Sequence, residues 1–326
     1  MLTIQDITQL ASLPGRGVVT VGNFDGVHLA HQKLLRSVVD AAKGASAIPV
    51  ALTFDPHPIK VLAPGRAPKL LTPLRSKAWY IETTGIERLV VLPFTRELAR
   101  LSPLEFVREI LVKGLRTLSV HVGPNFRFGY RQSGDVENLR EIARLEGFEV
   151  SVLPALEIRG EMVSSTRIRE LLSLGRVNLA ARLLGRPFSL FGPIVAGLGV
   201  GRKHTVPTLN LAPIEDQTPK TGVYVTRTRL GREYFDSVTN VGHKPTFGSH
   251  NLTVETYLLD YSGEIDKTEM EIEFLFRLRD EMKFQNPAIL KIQIQEDARR
   301  ANKFFRMLRA MNRLPEVHPS QDTTRL

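Results

Sequence analysis

The order of apolar runs along the chain constrains its fold most strongly. In the first half, short runs of β-branched and other apolar residues alternate with segments of helical periodicity. Strands that are buried on both faces have this composition, and strands that alternate with helices form parallel sheets. The runs lie at residues 18–21, 48–54, 88–92, 118–122 and 148–153. We therefore predict a doubly wound α/β domain that binds its ligands beyond the carboxyl ends of the strands.

The second half changes character after Pro187. Helical periodicity stops there, and short strand candidates separated by turn residues and prolines follow. This pattern predicts a small antiparallel β-barrel, which a helical segment at 287–311 closes. The candidate strands lie at 190–195, 223–229, 234–241, 252–259 and 270–277. We divide the chain into a first domain at 1–184, a second at 187–314 and a flexible tail at 315–326.

Composition narrows the function classes. The 326 residues fit about two domains, and the hydrophobic content of 42% is that of a globular protein. Lys and Arg exceed Asp and Glu by 44 to 34, which favours polyanionic ligands, either nucleic acid or nucleotide phosphates. The positive charge is spread without a basic block, which favours small phosphorylated ligands over a nucleic-acid partner.

Several other classes are excluded by residue types that the sequence lacks. It has no cysteine, which excludes disulfides, thiolate metal sites and cysteine nucleophiles and fits a reducing cytoplasm. Residues 1–12 contain no basic segment before an apolar run, so no signal peptide is predicted. No apolar stretch approaches the ~20 residues of a membrane span. We therefore expect a cytoplasmic protein without a membrane partner.

Segment 22–31 (GNFDGVHLAH) follows the first predicted strand and opens a helix. Glycines let a backbone approach phosphates, and a helix N-terminus offers free amides to an anion. His28 and His31 stand three residues apart, so both imidazoles leave the same side of the first turn and can hold a polyphosphate. Two alternatives stay open. One is a turn with two incidental surface histidines, and the other is a zinc pair, for which no third ligand has metal-site spacing.

Three further segments carry residues suited to nucleotide binding. Segment 53–58 (TFDPHP) presents His57 on a proline-stiffened loop, although a rigid turn has the same composition. Segment 122–129 (VGPNFRFG) combines an amide, two aromatic rings and an arginine, which suits a flat heteroaromatic ligand; a hairpin-like loop with core aromatics is the alternative. Segment 164–169 (SSTRIR) offers hydroxyls and arginine to phosphates at a helix start, or is plain N-capping.

In order and spacing, these four segments resemble the adenylyltransferase module of the bacterial bifunctional riboflavin kinase/FAD synthetase family. The resemblance implies a nucleotidyltransferase-like fold in which His28 and His31 act as catalytic residues on the phosphates of ATP. It also implies that His57 and Asn125 lie near the flavin nucleotide. The remaining ATP-site residues that it implies are Gly22, Asn23, Phe24, Asp25, Ser165, Thr166 and Arg169.

The second half resembles the riboflavin kinase module of the same family. The matching segments are 201–203 (GRK), 207–210 (PTLN), 222–224 (GVY), 240–242 (NVG), 245–247 (PTF), 254–255 (VE) and 279–284 (RDEMKF). By this resemblance Thr208 and Asn210 bind magnesium and nucleotide phosphate. Gly201 and Lys203 join the ATP site of the kinase, and Glu255 is its catalytic carboxylate. A carboxylate can orient an alcohol and accept its proton, whereas Glu255 without the resemblance would be a solvated strand residue.

The resemblance implies a bifunctional enzyme. Riboflavin is phosphorylated to FMN with ATP, and FMN is then joined to AMP from a second ATP to give FAD and pyrophosphate. Both steps are expected to need Mg²⁺, because phosphoryl transfer depends on alignment and charge neutralisation. No nucleic-acid partner is expected, and the sequence predicts no particular oligomeric state.

Two departures from the family pattern define the main alternative. Ala30 stands where the family has Gly before its second histidine, and Thr205 and Val206 stand where it has Gly-Phe. The alternative is a riboflavin kinase with a weakened adenylyltransferase domain. A second alternative, a non-catalytic protein that binds flavin or nucleic acid, depends on the basic charge alone.

Overall fold

The computed structural model describes residues 1–12, 14–195, 208–246, 249–261, 266–284 and 286–313. The chain forms two compact units, Met1–Arg167 and Ile168–Leu326. Each unit has its own main sheet and its own buried apolar core.

The first unit contains a six-stranded sheet in which every pair of neighbours is parallel. Its strands are β1 (Leu2–Ile4), β2 (Gly17–Val21), β3 (Ile48–Asp55), β4 (Arg88–Pro93), β5 (Ser119–Val122) and β6 (Glu149–Val152). They pair in the order β1-β4-β3-β2-β5-β6, so the strand order reverses direction at β2. Ligands of open α/β sheets bind at such a reversal.

Helices cover both faces of this sheet. They are α1 (Leu29–Gly44), α2 (Pro58–Leu62), α3 (Leu74–Glu82), α4 (Pro103–Phe106), which a π-helix at Val107–Gly114 continues, and α5 (Val136–Glu146). Helix α1 buries Leu35, Val38 and Ala42 at helical spacing in one core layer. The π-helix and α5 bury Ile110 and Ile142 in the layer on the opposite face. The predicted doubly wound fold is therefore confirmed.

The start of α4 follows its local sequence signal. Ser102 caps α4 in the capping box that the sequence predicts. Strand β1 and a hairpin of β7 (Glu157–Ile158) and β8 (Glu161–Met162) escape prediction, because two or three residues are too few to show a periodicity. Short 3₁₀ turns lie at Ile7–Ser12, Pro64–Arg66, Leu98–Arg100 and Tyr130–Gln132.

The second unit is a closed barrel of six strands whose pairings are all antiparallel. The strands are β9 (Phe188–Val195), β10 (Leu209–Leu211), β11 (Gly222–Leu230), β12 (Glu233–Thr246), β13 (Ser249–Leu258) and β14 (Glu269–Arg279). Buried hydroxyls of Thr226, Ser237 and Thr239 are hydrogen-bonded to one another across the strands. A last helix, α8 (Pro287–Ala310), packs Ala301 and Phe305 against the wall. The predicted barrel and closing helix are confirmed.

Two helices precede the barrel, α6 (Ser165–Ser173) and α7 (Val177–Leu184). Helix α7 packs against β9 and β14, and the Lys220 N–H donates to the Leu172 carbonyl. The compact units therefore divide between Arg167 and Ile168, whereas the sequence prediction ends the first domain at residue 184. Helical periodicity shows that a connecting helix exists but not which unit it packs on. The predicted tail at 315–326 lies outside the described residues.

Candidate active sites

Three segments singled out in the sequence follow neighbouring strands of the parallel sheet. Segment 22–28 follows β2, segment 56–58 follows β3, and segment 123–129 follows β5. Strand β2 pairs with both β3 and β5, and all three run in the same direction. The carboxyl ends of parallel strands lie at one edge of a sheet, so the three segments share the edge where the strand order reverses.

The loop that connects β2 to α1 takes a sharp path. Phe24, Gly26 and Val27 all have positive φ angles, of 46°, 83° and 39°. The Phe24 ring is buried and lies under Gly22, where a Cβ would come within 3.1 Å of it. Non-glycine residues adopt this left-handed conformation at a cost, so the surrounding contacts must hold the loop in place.

The two histidines of the motif form a stacked pair at the start of α1. Their ring centroids are 3.6 Å apart and the rings are inclined by 14°. Nδ1 of His28 accepts a hydrogen bond from the His31 backbone N–H, which caps the helix. His28 is buried and His31 is half-buried, so neither is a freely exposed surface side chain.

His31 is held in its neutral form. Burial lowers its pKa well below the ordinary value, and the nearby charges of His28 and Lys77 lower it further. Its Nδ1 atom is buried and has no hydrogen-bond partner among the described residues. A neutral imidazole whose other nitrogen carries the proton is a hydrogen-bond donor to a phosphate oxygen.

Asp25 anchors the loop through its carboxylate. This side chain is 2% exposed and accepts hydrogen bonds from the N–H groups of Leu71 and Thr72, at 3.0 to 3.2 Å. The Asp25 backbone carbonyl accepts a hydrogen bond from the Ser165 hydroxyl at 2.9 Å. The predicted ATP-site residue Asp25 is therefore placed where its carboxylate shapes the loop.

We expect Asp25→Asn to destabilise the first unit by about 1.5–3 kcal/mol, because an amide replaces a buried charged acceptor of several N–H donors. Calorimetry on the full chain measures this as a lower transition temperature for that unit. Asp40→Asn, at an exposed position of α1, is the matched control. Equal transition temperatures for the two variants would contradict the anchoring role.

Segment 164–169 begins helix α6. The Ser164 hydroxyl accepts a hydrogen bond from the Arg167 N–H, so the N-capping interpretation describes this residue. Arg167 forms a bidentate ion pair with Glu161, at 2.7 and 3.0 Å. Thr166 is exposed and Arg169 is half-buried. The Ser165–Asp25 hydrogen bond places the start of α6 against the loop between β2 and α1. Thr166 and Arg169 stay predicted ATP ligands.

The two predicted flavin residues lie on the loops after β3 and β5. His57 caps α2, with its Nδ1 accepting from the Ile59 N–H at 3.3 Å. Asn125 is exposed at the tip of its loop. Phe126 and Phe128 of the same loop stack on each other and pack on the core. The alternative of core aromatics therefore describes these two rings, and Asn125 is the candidate for ligand contact.

Lys77 is a buried residue that the sequence analysis missed. It is 5% exposed, and its Nζ donates to the Asn23 carbonyl of the loop at 2.9 Å. It occupies an inward position of α3, between Leu74 and Ile81 at helical spacing. A lysine within an apolar stripe is the signal that could have revealed it.

The second candidate site lies on the outer wall of the barrel. Asn210 of β10 and Asn240 of β12 are both in register with Glu255 of β13. Paired residues point to the same face, so the three side chains form one row across adjacent strands. Val254 and Thr256, the chain neighbours of Glu255, are buried inside the barrel, which places Glu255 on the outer face. Oε1 of Glu255 is nevertheless shielded from solvent.

Of the other residues of the kinase prediction named above, the structure describes Thr208. Thr208 is exposed just before β10, while Gly201, Lys203, Thr205 and Val206 lie outside the described residues. The Glu281 carboxylate lies against Gly242, where any side chain would clash with it.

Segment 279–284 is fastened to α8. Arg279 makes a bidentate ion pair with the buried Asp297, with contacts of 2.7 to 3.1 Å. Gln293 donates to the same carboxylate. Arg279, the first residue of the segment, therefore has a structural partner. The sequence analysis did not single out Asp297.

The described residues lack two kinds of feature. They contain no group of three or more His, Cys, Asp and Glu side chains placed to hold a metal ion. In the same part of the chain, no helix has the length and hydrophobicity needed to cross a membrane.

The folds and the two sites define a two-domain nucleotide transferase, and comparisons with known proteins agree. The FAD synthetase family model matches residues 11–167, and the riboflavin kinase family model matches residues 184–305. The bifunctional riboflavin kinase/FMN adenylyltransferase of Escherichia coli K12 is 32% identical over 94% of this chain and 98% of its own. That of Pseudomonas fluorescens is 34% identical over 86% and 90%.

One solved structure is also similar along most of the chain. It is described as a macrolide-efflux protein from Streptococcus pneumoniae, is 28% identical, has a TM-score of 0.83, and covers 92% of this chain and 98% of its own. The efflux description has no counterpart in either family model. The chain therefore belongs to the family of bifunctional riboflavin kinase/FMN adenylyltransferases.

Proposed function

We propose that the parallel-sheet unit makes FAD at the edge where segments 22–31, 56–58 and 123–129 meet. An oxygen of the FMN phosphate attacks the α-phosphorus of ATP, and the bond to the β-phosphate oxygen breaks to release pyrophosphate. His28 and His31 bind the phosphates, together with the amides at the start of α1. The convergence of the three segments at one sheet edge is the observation that carries this assignment.

The remaining predicted residues complete this first site. Thr166 binds ATP phosphates, since its neighbour Ser165 is hydrogen-bonded to the Asp25 carbonyl of the loop. Arg169 is proposed as a further phosphate ligand from the family resemblance alone. His57 and Asn125 orient the flavin nucleotide from the loops after β3 and β5. In this arrangement both substrates are held for in-line displacement without a covalent enzyme intermediate.

We further propose that the barrel phosphorylates riboflavin at the row formed by Asn210, Glu255 and Asn240. The ribityl hydroxyl attacks the γ-phosphorus of ATP, and ADP leaves. Glu255 orients the hydroxyl and accepts its proton. The partial shielding of this carboxylate supports that role, because a general base works best when water does not compete for it.

Magnesium is proposed for both reactions. The residues of the barrel site fit it, since the Thr208 hydroxyl and the Asn210 carboxamide are the oxygen donors that Mg²⁺ prefers, and Asn210 lies beside the Glu255 carboxylate. When bound, the ion neutralises charge on the phosphates.

The absence of cysteine fits a reducing compartment, and we place both reactions in the cytoplasm.

A time course of the full chain with riboflavin and Mg-ATP tests the proposal. FMN is expected first and FAD second, with ADP and pyrophosphate as coproducts. If FMN accumulates and supplied FMN is not converted to FAD, the alternative of a weakened adenylyltransferase domain is correct. Recovery of neither flavin nucleotide would contradict both assignments.

Ala30→Gly decides whether the departure at this position limits FAD formation. Ala30 lies in the first turn of α1, a backbone conformation that does not require glycine. We therefore expect the rate of FAD formation from FMN to stay nearly unchanged. A marked increase in kcat/KM for ATP would show instead that the methyl group crowds the phosphates.

A further inference from the structure

Lys77 is buried against the loop between β2 and α1. Its Nζ donates to the Asn23 carbonyl at 2.9 Å, and the Thr53 hydroxyl donates to the same oxygen at 3.3 Å. Two donors use both lone pairs of that carbonyl. Residue 23 is the point at which the loop leaves β2, so these contacts fix the start of its strained path.

The charge on Lys77 interacts with two carboxylates and with His31. The carboxylates of Asp25 and Asp55 favour its charged form, although burial lowers its pKa below the ordinary lysine value. Its charge in turn lowers the pKa of His31. Among the described residues, the charged or titratable groups that act on the pKa of His31 are His28 and Lys77, and the Phe24 ring that meets its edge is uncharged.

A purely structural role does not explain this arrangement. A neutral donor would satisfy the Asn23 carbonyl at a lower cost than a buried ammonium group. The Asp25 carboxylate balances part of this charge, and its oxygens are shared with the backbone N–H groups of Leu71 and Thr72. A polyanion bound at the loop would give the buried positive charge a function.

We propose that Lys77 is a positioning residue for FMN adenylylation, which fixes the loop at Asn23 and supplies positive charge beside His31 for the triphosphate of ATP. This inference depends on the proposed assignment of segment 22–31 to ATP. Lys77 acts through the loop and the histidine pair, and binding of ATP to the loop brings the triphosphate charge close to its ammonium group.

Three substitutions separate the hydrogen bond from the charge. Lys77→Gln keeps a donor without charge, Lys77→Met removes both, and Lys77→Arg keeps the charge. We expect kcat/KM for ATP in FAD formation to fall by about 10- to 100-fold in the first two variants, the range for a lost charged hydrogen bond. Lys77→Arg should restore part of the loss. Lys43→Met, at an exposed position near the end of α1, is the control and should match the unmodified chain.

The pH profile provides a readout that a structural role would not change. In the unmodified chain, kcat/KM for ATP should change at low pH as His31 becomes protonated, and the midpoint of this acid limb reports the pKa of His31. Removing the Lys77 charge raises the pKa of His31 toward its ordinary value, so the acid limb of Lys77→Gln should lie at higher pH. The position of this limb does not depend on how much of the sample is folded.

The outcomes distinguish this inference from the proposed function. If the unmodified chain makes no FAD from FMN and ATP, the proposed function of the first unit is wrong. If it makes FAD and both uncharged variants retain their kcat/KM, the inference about Lys77 is wrong. A loss of activity with an unshifted acid limb would also overturn it, because Lys77 would then be a structural residue only.

Discussion

Glu255→Gln is expected to reduce FMN formation from riboflavin by about 10²–10⁴-fold, the usual contribution of a general acid–base. The amide keeps the shape and polarity of the side chain but cannot accept the proton of the ribityl hydroxyl. Steady-state measurement of ADP and FMN release gives kcat and KM separately. The loss should appear mainly in kcat, because the substituted group acts on the reacting hydroxyl.

The two units make this experiment internally controlled. FAD formation from supplied FMN takes place in the first unit and should stay unchanged in Glu255→Gln. Glu233→Gln, at the exposed start of β12, removes the same charge from the same unit and should leave both activities intact. If Glu255→Gln lowers both activities together, the assignment of one reaction to each unit is incorrect.

The apolar pattern of the sequence was sufficient to predict the fold of each unit. The central strands β2 and β3 are buried along most of their length, and helix α1 repeats its buried residues at 3.6-residue spacing. Burial is therefore visible in the sequence as apolar runs in the strands and as helical periodicity in α1. Strand β10, with three residues, and the packing of α7 on the barrel were not predictable. Both depend on tertiary contacts and leave no repeat in the sequence.

The sequence predicted which segments contribute to the candidate sites but not how their side chains are arranged. Asn210, Asn240 and Glu255 are up to 45 residues apart, and only the strand register places them in one row. The contact of Asp25 with Leu71 likewise joins residues 46 positions apart. The motif therefore predicted Asp25 as an ATP-site residue and did not reveal that its carboxylate anchors the loop. Motif residues predict which loops bind ligand, whereas burial and hydrogen bonds show which side chains hold those loops.

His31→Gln is expected to reduce FAD formation from FMN by about 10²–10³-fold, the loss that follows removal of one preorganised donor to transition-state charge. Three structural features prepare the imidazole for this role. It stacks on His28, meets the edge of the Phe24 ring, and is kept neutral by burial and by the charges of its neighbours. A glutamine lacks this planar stacking and is free to rotate, so its donor is not held toward the phosphates.

Measurement of pyrophosphate release under saturating FMN and Mg-ATP checks this expectation, with riboflavin kinase activity of the same sample as the reference. His121→Gln is a matched control, since His121 is also buried and bonds to Ser37 of α1 at 3.1 Å without lying in the motif. It should lower the stability of the unit while each folded molecule keeps its turnover. Equal losses of kcat in the two variants would mean that His31 supports α1 and does not act on the phosphates.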